Sequence, residues 1–327
     1  MRAVARANAN VALVKYWGKR DESLVLPQHG SISLTLDGLS TTVRVAFDPA
    51  LGNDDIRMGG LPAGEKERGR VSAFLDLVRH RARTALRAAV DSESTVPLAS
   101  GLASSAAAYA ALALAASAAA GLSLDAEELS RLARQGSGSA CRSIHGGFVE
   151  WQRGEAPDGS DSIAHQLLVP HAWEVCDVIA LCGSGEKEVS SRDGMRRSVN
   201  TSIFYPAWLA AAEHDLTTMR LAIADRNFTA LGLTAERNAL RMHATALGAD
   251  PPIRYWNAGT LAVMERVERL RATGISAYCT VDAGPHVHVL TPLETVPSVQ
   301  AALADLPMVH GVLRCGQGGG ATLIEAS

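Results

Sequence analysis

The chain is short of aromatic residues and of cysteine, and it has no block of like charge. Phe, Trp and Tyr make up 5% of its 327 residues, too few for the stacking platforms that hold single-stranded nucleic acid. The formal net charge is −3 with no basic stripe, so the electrostatic footprint of a nucleic-acid binder is missing. The five cysteines, Cys141, Cys176, Cys182, Cys279 and Cys315, are odd in number and contain no CxxC pair. That argues against a thiolate zinc site, and a reducing cytoplasm is the simple expectation. The first six residues lack the apolar core of a signal peptide, so none is expected. One run, 102–122, is apolar enough to suggest a membrane span. It is mostly alanine, opens on a Gly/Ser turn and ends at Gly121, which predicts a helix buried between protein layers instead. The length suits two domains, divided here at 1–172 and 173–327.

Periodicity places the elements. Strands are expected at 4–16 and 31–48, where 41–47 alternates apolar and polar residues. Residues 53–60 read as a polar turn and 65–90 as one long amphipathic helix. A short helix is expected at 125–135, capped by Ser123. Residues 148–151 are strand-like, 152–171 a loop, 175–182 a buried strand, and 183–197 a polar, mobile loop. Helices are predicted at 201–225, 228–247 and 257–273. A hairpin is expected over 277–281 and 286–290, a helix at 296–304, and strands at 312–315 and 321–325 around a glycine-rich turn. This mixture predicts an α+β architecture.

Three clusters carry chemistry. Ser100-Gly101-Leu102-Ala103-Ser104-Ser105 opens the alanine-rich helix. Ser137-Gly138-Ser139-Ala140-Cys141-Arg142 joins a helix to a strand. Ser190-Ser191-Arg192-Asp193-Gly194-Met195 follows later. Backbone N–H groups and hydroxyls supply short donors, and arginine supplies a planar fork for carboxylate or phosphate. Together they point to a polyanionic substrate held with a nucleotide. His286 and His288 form an HxH pair, but no third ligand accompanies it in sequence, so a structural or surface role is favoured over zinc.

Asn10-Val11-Ala12-Leu13-Val14-Lys15-Tyr16-Trp17-Gly18-Lys19-Arg20, the glycine-serine turn at 101–106 and the stretch 136–151 resemble the diphosphomevalonate decarboxylases. These belong to the galactokinase–homoserine kinase–mevalonate kinase superfamily. The 190–195 cluster and Val281-Asp282-Ala283-Gly284-Pro285 are similar too, so the resemblance runs from residue 8 to about 290. It implies a ribosomal-protein-S5-like N-terminal domain, a ferredoxin-like C-terminal domain and an active site in the cleft between them. It implies ATP and Mg2+ as cofactors, and a reaction in which the C3 hydroxyl of mevalonate 5-diphosphate is phosphorylated before phosphate and CO2 leave. A homodimer is implied as well, with a small molecule as substrate and neither nucleic acid nor membrane as partner.

The resemblance also distributes roles. Asp282 would be the catalytic carboxylate facing the C3 hydroxyl, with Lys15 as its partner. Tyr16, Lys19, Ser137 and Ser139 would hold the diphosphate, Arg142 the C1 carboxylate, and Arg192 the substrate. Gly101, Leu102, Ala103, Ser104 and Ser105 would form the ATP phosphate loop, with Ser191 orienting a phosphate. Mg2+ would arrive with ATP near Ser105 and not in a dedicated cage. The sequence departs from the pattern at Leu98, after Pro97, and at His286, after the Asp-Ala-Gly-Pro turn. The alternatives are a mevalonate 5-phosphate decarboxylase, a 3-kinase that stops after phosphorylation, and a non-catalytic ligand sensor.

Overall fold

In the computed structural model, which describes residues 1–95, 104–183 and 188–326, one long strand ties the molecule together. This strand, β1 (Arg2–Val14), buries alternate residues at Ala3, Ala5 and Ala7, then buries every residue from Ala9 to Val14. The change of pattern marks a change of cover. Its first half is covered by helices of the N-terminal half, and its second half is sandwiched by helices from later in the chain.

A short ribbon follows, β2 (Lys19–Asp21) with β3 (Leu26–Pro27). Then β4 (Ser31–Asp48) returns antiparallel to β1 along most of its length. The ladder slips between Asn8 and Asn10, where Asp37 and Gly38 turn outward and Gly38 takes a φ of +73°. Glycine occupies that conformation without the Cβ penalty. After β5 (Asp55–Met58) and β6 (Leu61–Pro62) comes helix α1 (Glu65–Ala82), then β7 (Arg87–Ser94), which pairs with β4. Helix α2 (Ser104–Ala119) lies on β1 and β4, and its alanines allow close approach. No helix among the described residues is long and apolar enough to cross a membrane.

Helix α3 (Ala126–Gly136) leads into a 3-10 turn at Gly138–Ile144, and β8 (Phe148–Trp151) and β9 (Ala164–Leu168) extend the first sheet beside β4. A second, antiparallel sheet starts at β10 (Val175–Ala180). Helices α4 (Ser191–Thr201), α5 (Tyr205–Ala224), α6 (Phe228–Leu247) and α7 (Ala258–Ala272) precede β11 (Tyr278–Thr280) and β12 (Val287–Pro292). Helix α8 (Val296–Ala304), β13 (Val312–Cys315) and β14 (Thr322–Ala326) complete the chain. The second sheet has the order β11-β12-β10-β13, with α7 and α8 packed on one face. Strand β14 leaves this half and pairs with β1 at the edge of the first sheet. The two strands around the glycine-rich turn therefore sit in different sheets, not in a hairpin.

Several expectations needed correction. The helix predicted over 65–90 stops at Arg83, which adopts a left-handed φ of 51° and donates its N–H to Arg79 and His80 carbonyls. Residues 87–94 become a strand because Ala88 and Val90 point into the core against β4. Alanine's helix propensity loses there to sheet pairing. Residues 55–58, read as turn, pair parallel with β7. Residues 164–168, read as loop, pair with β8. The cap of α3 is Asp125, in a reciprocal capping box with Glu128, and not Ser123. The second part of the loop expected at 183–197, from Ser191 onward, is helix α4, capped by Ser190. Within this helix Gly194 gives room. A Cβ there would collide with the Tyr255 hydroxyl and crowd Trp17.

Candidate active site

The ends of β1 and β11 bring Lys15 and Asp282 together across 267 residues of sequence, and Lys15 Nζ donates to Asp282 Oδ1 at 2.5 Å. The ammonium also donates to the Ala12 carbonyl at 2.7 Å and is all but inaccessible to solvent, at 2% exposure. The Asp282 side chain keeps 26% of its surface open, so the carboxylate can be reached while its partner cannot. Burial pushes the Asp282 carboxyl up, but Lys15, His288 and Arg142 together outweigh it and hold its pKa below the ordinary carboxylate value. Burial lowers the pKa of Lys15, and Asp282 only partly offsets this.

Helix α6 grips both segments. The Lys15 backbone N–H donates to Asn238 Oδ1 at 2.8 Å. Asn238 Nδ2 in turn donates to Asp215 Oδ2 at 3.0 Å, and the buried Asp215 also takes Arg237 and Arg241. Five residues further along α6, His243 Nε2 lies 3.2 Å from the carbonyl of Val281, next to Asp282. Burial drives the His243 pKa down to about 3, so the ring is neutral and Nε2 can carry the proton that this contact requires.

Arg142 sits in the 3-10 turn, 2% exposed. Its guanidinium donates to Ser31 Oγ at 2.5 Å and to Asn10 Oδ1 at 3.0 and 3.3 Å. Among the described residues no carboxylate lies within ion-pair distance of it. The fork is therefore fixed by neutral oxygens, with donors to spare for an anion. Asn10 also donates to the Ser139 carbonyl and Ser143 Oγ, which ties the turn to β1.

Tyr16 packs edge-on to Trp151, with ring centroids 4.7 Å apart, and lies against Gly138. Its hydroxyl is buried with no hydrogen-bond partner among the described residues. A buried donor without a partner is costly, and a ligand oxygen would satisfy it. Ser105, at the exposed start of α2, lies hydroxyl to hydroxyl with Ser137 at 3.2 Å. This joins the phosphate-loop cluster to the second cluster. Gly101, Leu102 and Ala103 lie outside the described residues; Ser104 is exposed beside Ser105.

The remaining expected residues divide. The charge of the exposed Arg192 acts on both Tyr16 and Tyr109, so it faces the same region. Ser191 is the first residue of α4, half-buried. Lys19 turns its ammonium to Glu22. His286 and His288 are buried, not on the surface. His286 Nδ1 accepts the Cys182 N–H, and His288 Nδ1 lies 2.6 Å from Asp177 Oδ2. No group of His, Cys, Asp and Glu suited to a metal occurs among the described residues.

Asn238, His243, Asp215 and the pair His288–Asp177 were not picked out as site residues from sequence. A lone asparagine on an amphipathic helix carries no local signal. Asn10 could have been found, as a polar residue in an otherwise apolar strand.

Comparison with known proteins identifies what the chain resembles as a whole. Residues 7–164 match a family model described as the diphosphomevalonate decarboxylase-like N-terminal domain, and residues 178–312 match the mevalonate 5-diphosphate decarboxylase C-terminal domain. The diphosphomevalonate decarboxylase of Bos taurus is 40% identical over 325 residues, covering 91% of this chain and 78% of its own. The mevalonate diphosphate decarboxylase of Enterococcus faecalis superposes with a TM-score of 0.93 at 43% identity, over 100% of this chain and 99% of the other. A structure holding MVAPP, AMPPCP and magnesium superposes with a TM-score of 0.94 at 44% identity, over 100% and 99%.

Proposed function

The chain belongs to the diphosphomevalonate decarboxylase family, and from that premise we propose how its residues divide the work. It is an ATP-dependent decarboxylase that converts mevalonate 5-diphosphate to isopentenyl diphosphate, with ATP and Mg2+ as cofactors.

The observation that carries the assignment is the accessible Asp282 carboxylate held on a buried Lys15. A tertiary alcohol is far too weak an acid to ionise beforehand. Asp282 therefore orients the C3 hydroxyl and accepts its proton as the hydroxyl oxygen bonds to the γ-phosphorus of ATP and the bond from that phosphorus to ADP breaks. The C3–O bond then breaks with loss of phosphate. The electron pair of the C1–C2 bond becomes the new double bond as CO2 leaves. The negative charge of Asp282 favours the positive charge that develops at C3.

The free donors of Arg142 suit the C1 carboxylate. The unpartnered Tyr16 hydroxyl, with Ser137 and Ser139, suits the diphosphate, and Lys19 reaches it by exchanging Glu22 for phosphate. Ser104, Ser105 and the segment 101–103 would receive the ATP phosphates at the start of α2, with Ser191 and Arg192 approaching from α4. Mg2+ bound with ATP would offset phosphate charge near Ser105.

A domain break near 172 is supported by the start of the second sheet at Val175, with β14 returning to the first. A homodimer is supported by Leu233, Leu240 and Leu247, exposed at heptad spacing along α6. Five buried free thiols suit a reducing cytoplasm.

The test is Asp282→Asn, which keeps the shape of the side chain and removes the base. Turnover should fall by about 10²–10⁴-fold while mevalonate 5-diphosphate still binds. Undiminished turnover would remove Asp282 from the mechanism.

A further inference from the structure

Behind Asp282 lies a second charged pair that the steps above do not use. His288 stands on β12 directly opposite Thr280 of β11, and Thr280 is two residues before Asp282. Directly opposed residues in an antiparallel ladder share a sheet face. Thr280 Oγ1 reaches the Ala12 carbonyl at 3.4 Å, and Lys15 Nζ uses the same carbonyl. The face bearing His288 is therefore the one turned towards the Lys15–Asp282 pair. From the neighbouring strand β10, Asp177 Oδ2 meets His288 Nδ1 at 2.6 Å. Asp177 is fully buried and its Oδ1 has no hydrogen-bond partner among the described residues, while His288 is 4% exposed. A buried carboxylate this poorly solvated needs a cation beside it, and His288 is the group within reach.

The surrounding charges come from several elements. Asp282 follows β11, Lys15 ends β1, and Cys315 of β13 pairs with Asp177 across the ladder. Arg142 of the 3-10 turn acts on Lys15 and Asp282, and the neutral His243 of α6 lies beside the same pair. Burial alone would strip the proton from His288. Asp177 and Asp282 outweigh it against the opposing Lys15, and the pKa of the ring stands above that of a free histidine.

We propose that His288 is a positioning residue for the decarboxylation: paired with Asp177, its positive charge favours the ionised Asp282 carboxylate until phosphoryl transfer draws the proton across. The proposal rests on Asp282 being the proton acceptor.

The experiment compares the pH dependence of kcat in the wild type, His288→Asn, His288→Lys and Asp177→Asn. The asparagine amide sits near the Nδ1 position and keeps a donor for Asp177, but it carries no charge. The acid limb of His288→Asn should move to higher pH by about half to one unit, with KM for ATP and mevalonate 5-diphosphate changed by less than about twofold. Asp177→Asn should move the limb the same way, because His288 then loses its counter-charge. His288→Lys, which keeps a positive charge, should restore the wild-type limb. Superimposed profiles for the wild type, His288→Asn and Asp177→Asn would overturn the proposal. So would a limb in His288→Lys shifted as far as in His288→Asn, since a purely structural role would not respond to charge. If these variants do not fold, the 15N ring shifts of His288 in the unmodified protein at neutral pH decide. A doubly protonated ring supports the proposal and a neutral ring overturns it. Asp282→Asn with full turnover would instead sink the assignment of Asp282, and the ring measurement would tell the two failures apart.

Discussion

Replacing Lys15 with methionine keeps most of the side-chain volume and removes the ammonium 2.5 Å from Asp282 and 2.7 Å from the Ala12 carbonyl. Removing one member of a buried ion pair costs ~3–5 kcal/mol, because the other charge is left uncompensated. Asp282 retains 26% of its side-chain surface, so water can replace part of what is lost, and the expected cost falls to ~2–3 kcal/mol. Losing the ammonium, which favours the ionised carboxylate, moves the Asp282 pKa upward. The sign follows from the depressed carboxyl. Its contribution to stability is present above the unfolded carboxylate pKa and is lost as pH falls through the folded value. Lys15→Met should therefore lower stability at neutral pH and shift the acid limb of turnover upward. If the same interaction holds the carboxylate in its reacting position, kcat should also fall by about 30- to 100-fold. Paired rates of ADP and CO2 release across the pH range, with thermal melts in the same buffers, read all these effects. A lowered melt with wild-type kcat and an unmoved acid limb would refute the catalytic reading of the pair.

Other perturbations separate binding, scaffold and helix stability. A Cβ at Gly138 would meet the Tyr16 ring at 2.6 Å, so Gly138→Ala should raise KM for mevalonate 5-diphosphate by about tenfold with a smaller change in kcat, as steady-state kinetics would show. Asp215→Ala removes a fully buried carboxylate that holds Arg237, Arg241 and Asn238. It should cost ~3 kcal/mol in denaturant melts and lower kcat, because Asn238 positions the Lys15 backbone. Asp125→Ala should cost ~1 kcal/mol through the lost capping box of α3 and leave kcat and KM unchanged. Leu240→Glu places charge in the exposed leucine row of α6 and should convert a dimer to monomer in light scattering.

The elements read best from sequence were those whose pattern matched a single environment. Strand β4, helix α6 and helix α8 fell where periodicity placed them. Strand β7 did not, because Ala88 and Ala89 look helical until β4 is beside them. Helix α4 was hidden by Gly194, whose role is to fit beneath Tyr255. The site shows the same division. Motif resemblance pointed to Lys15, Arg142 and Asp282. The resemblance also implied that Lys15 partners Asp282, which no local pattern could give across 267 residues. Asn238, His243 and His288 work through a backbone amide, a carbonyl and a neighbouring carboxylate, contacts with no sequence signature.

This site couples phosphorylation of the C3 hydroxyl to loss of CO2. The direct measurement supplies purified protein with ATP, Mg2+ and either mevalonate 5-diphosphate or mevalonate 5-phosphate, and follows ADP and CO2 together. Equal yields of ADP and CO2 are expected from the diphosphate and neither from the monophosphate. ADP without CO2, or CO2 from the monophosphate, would contradict it.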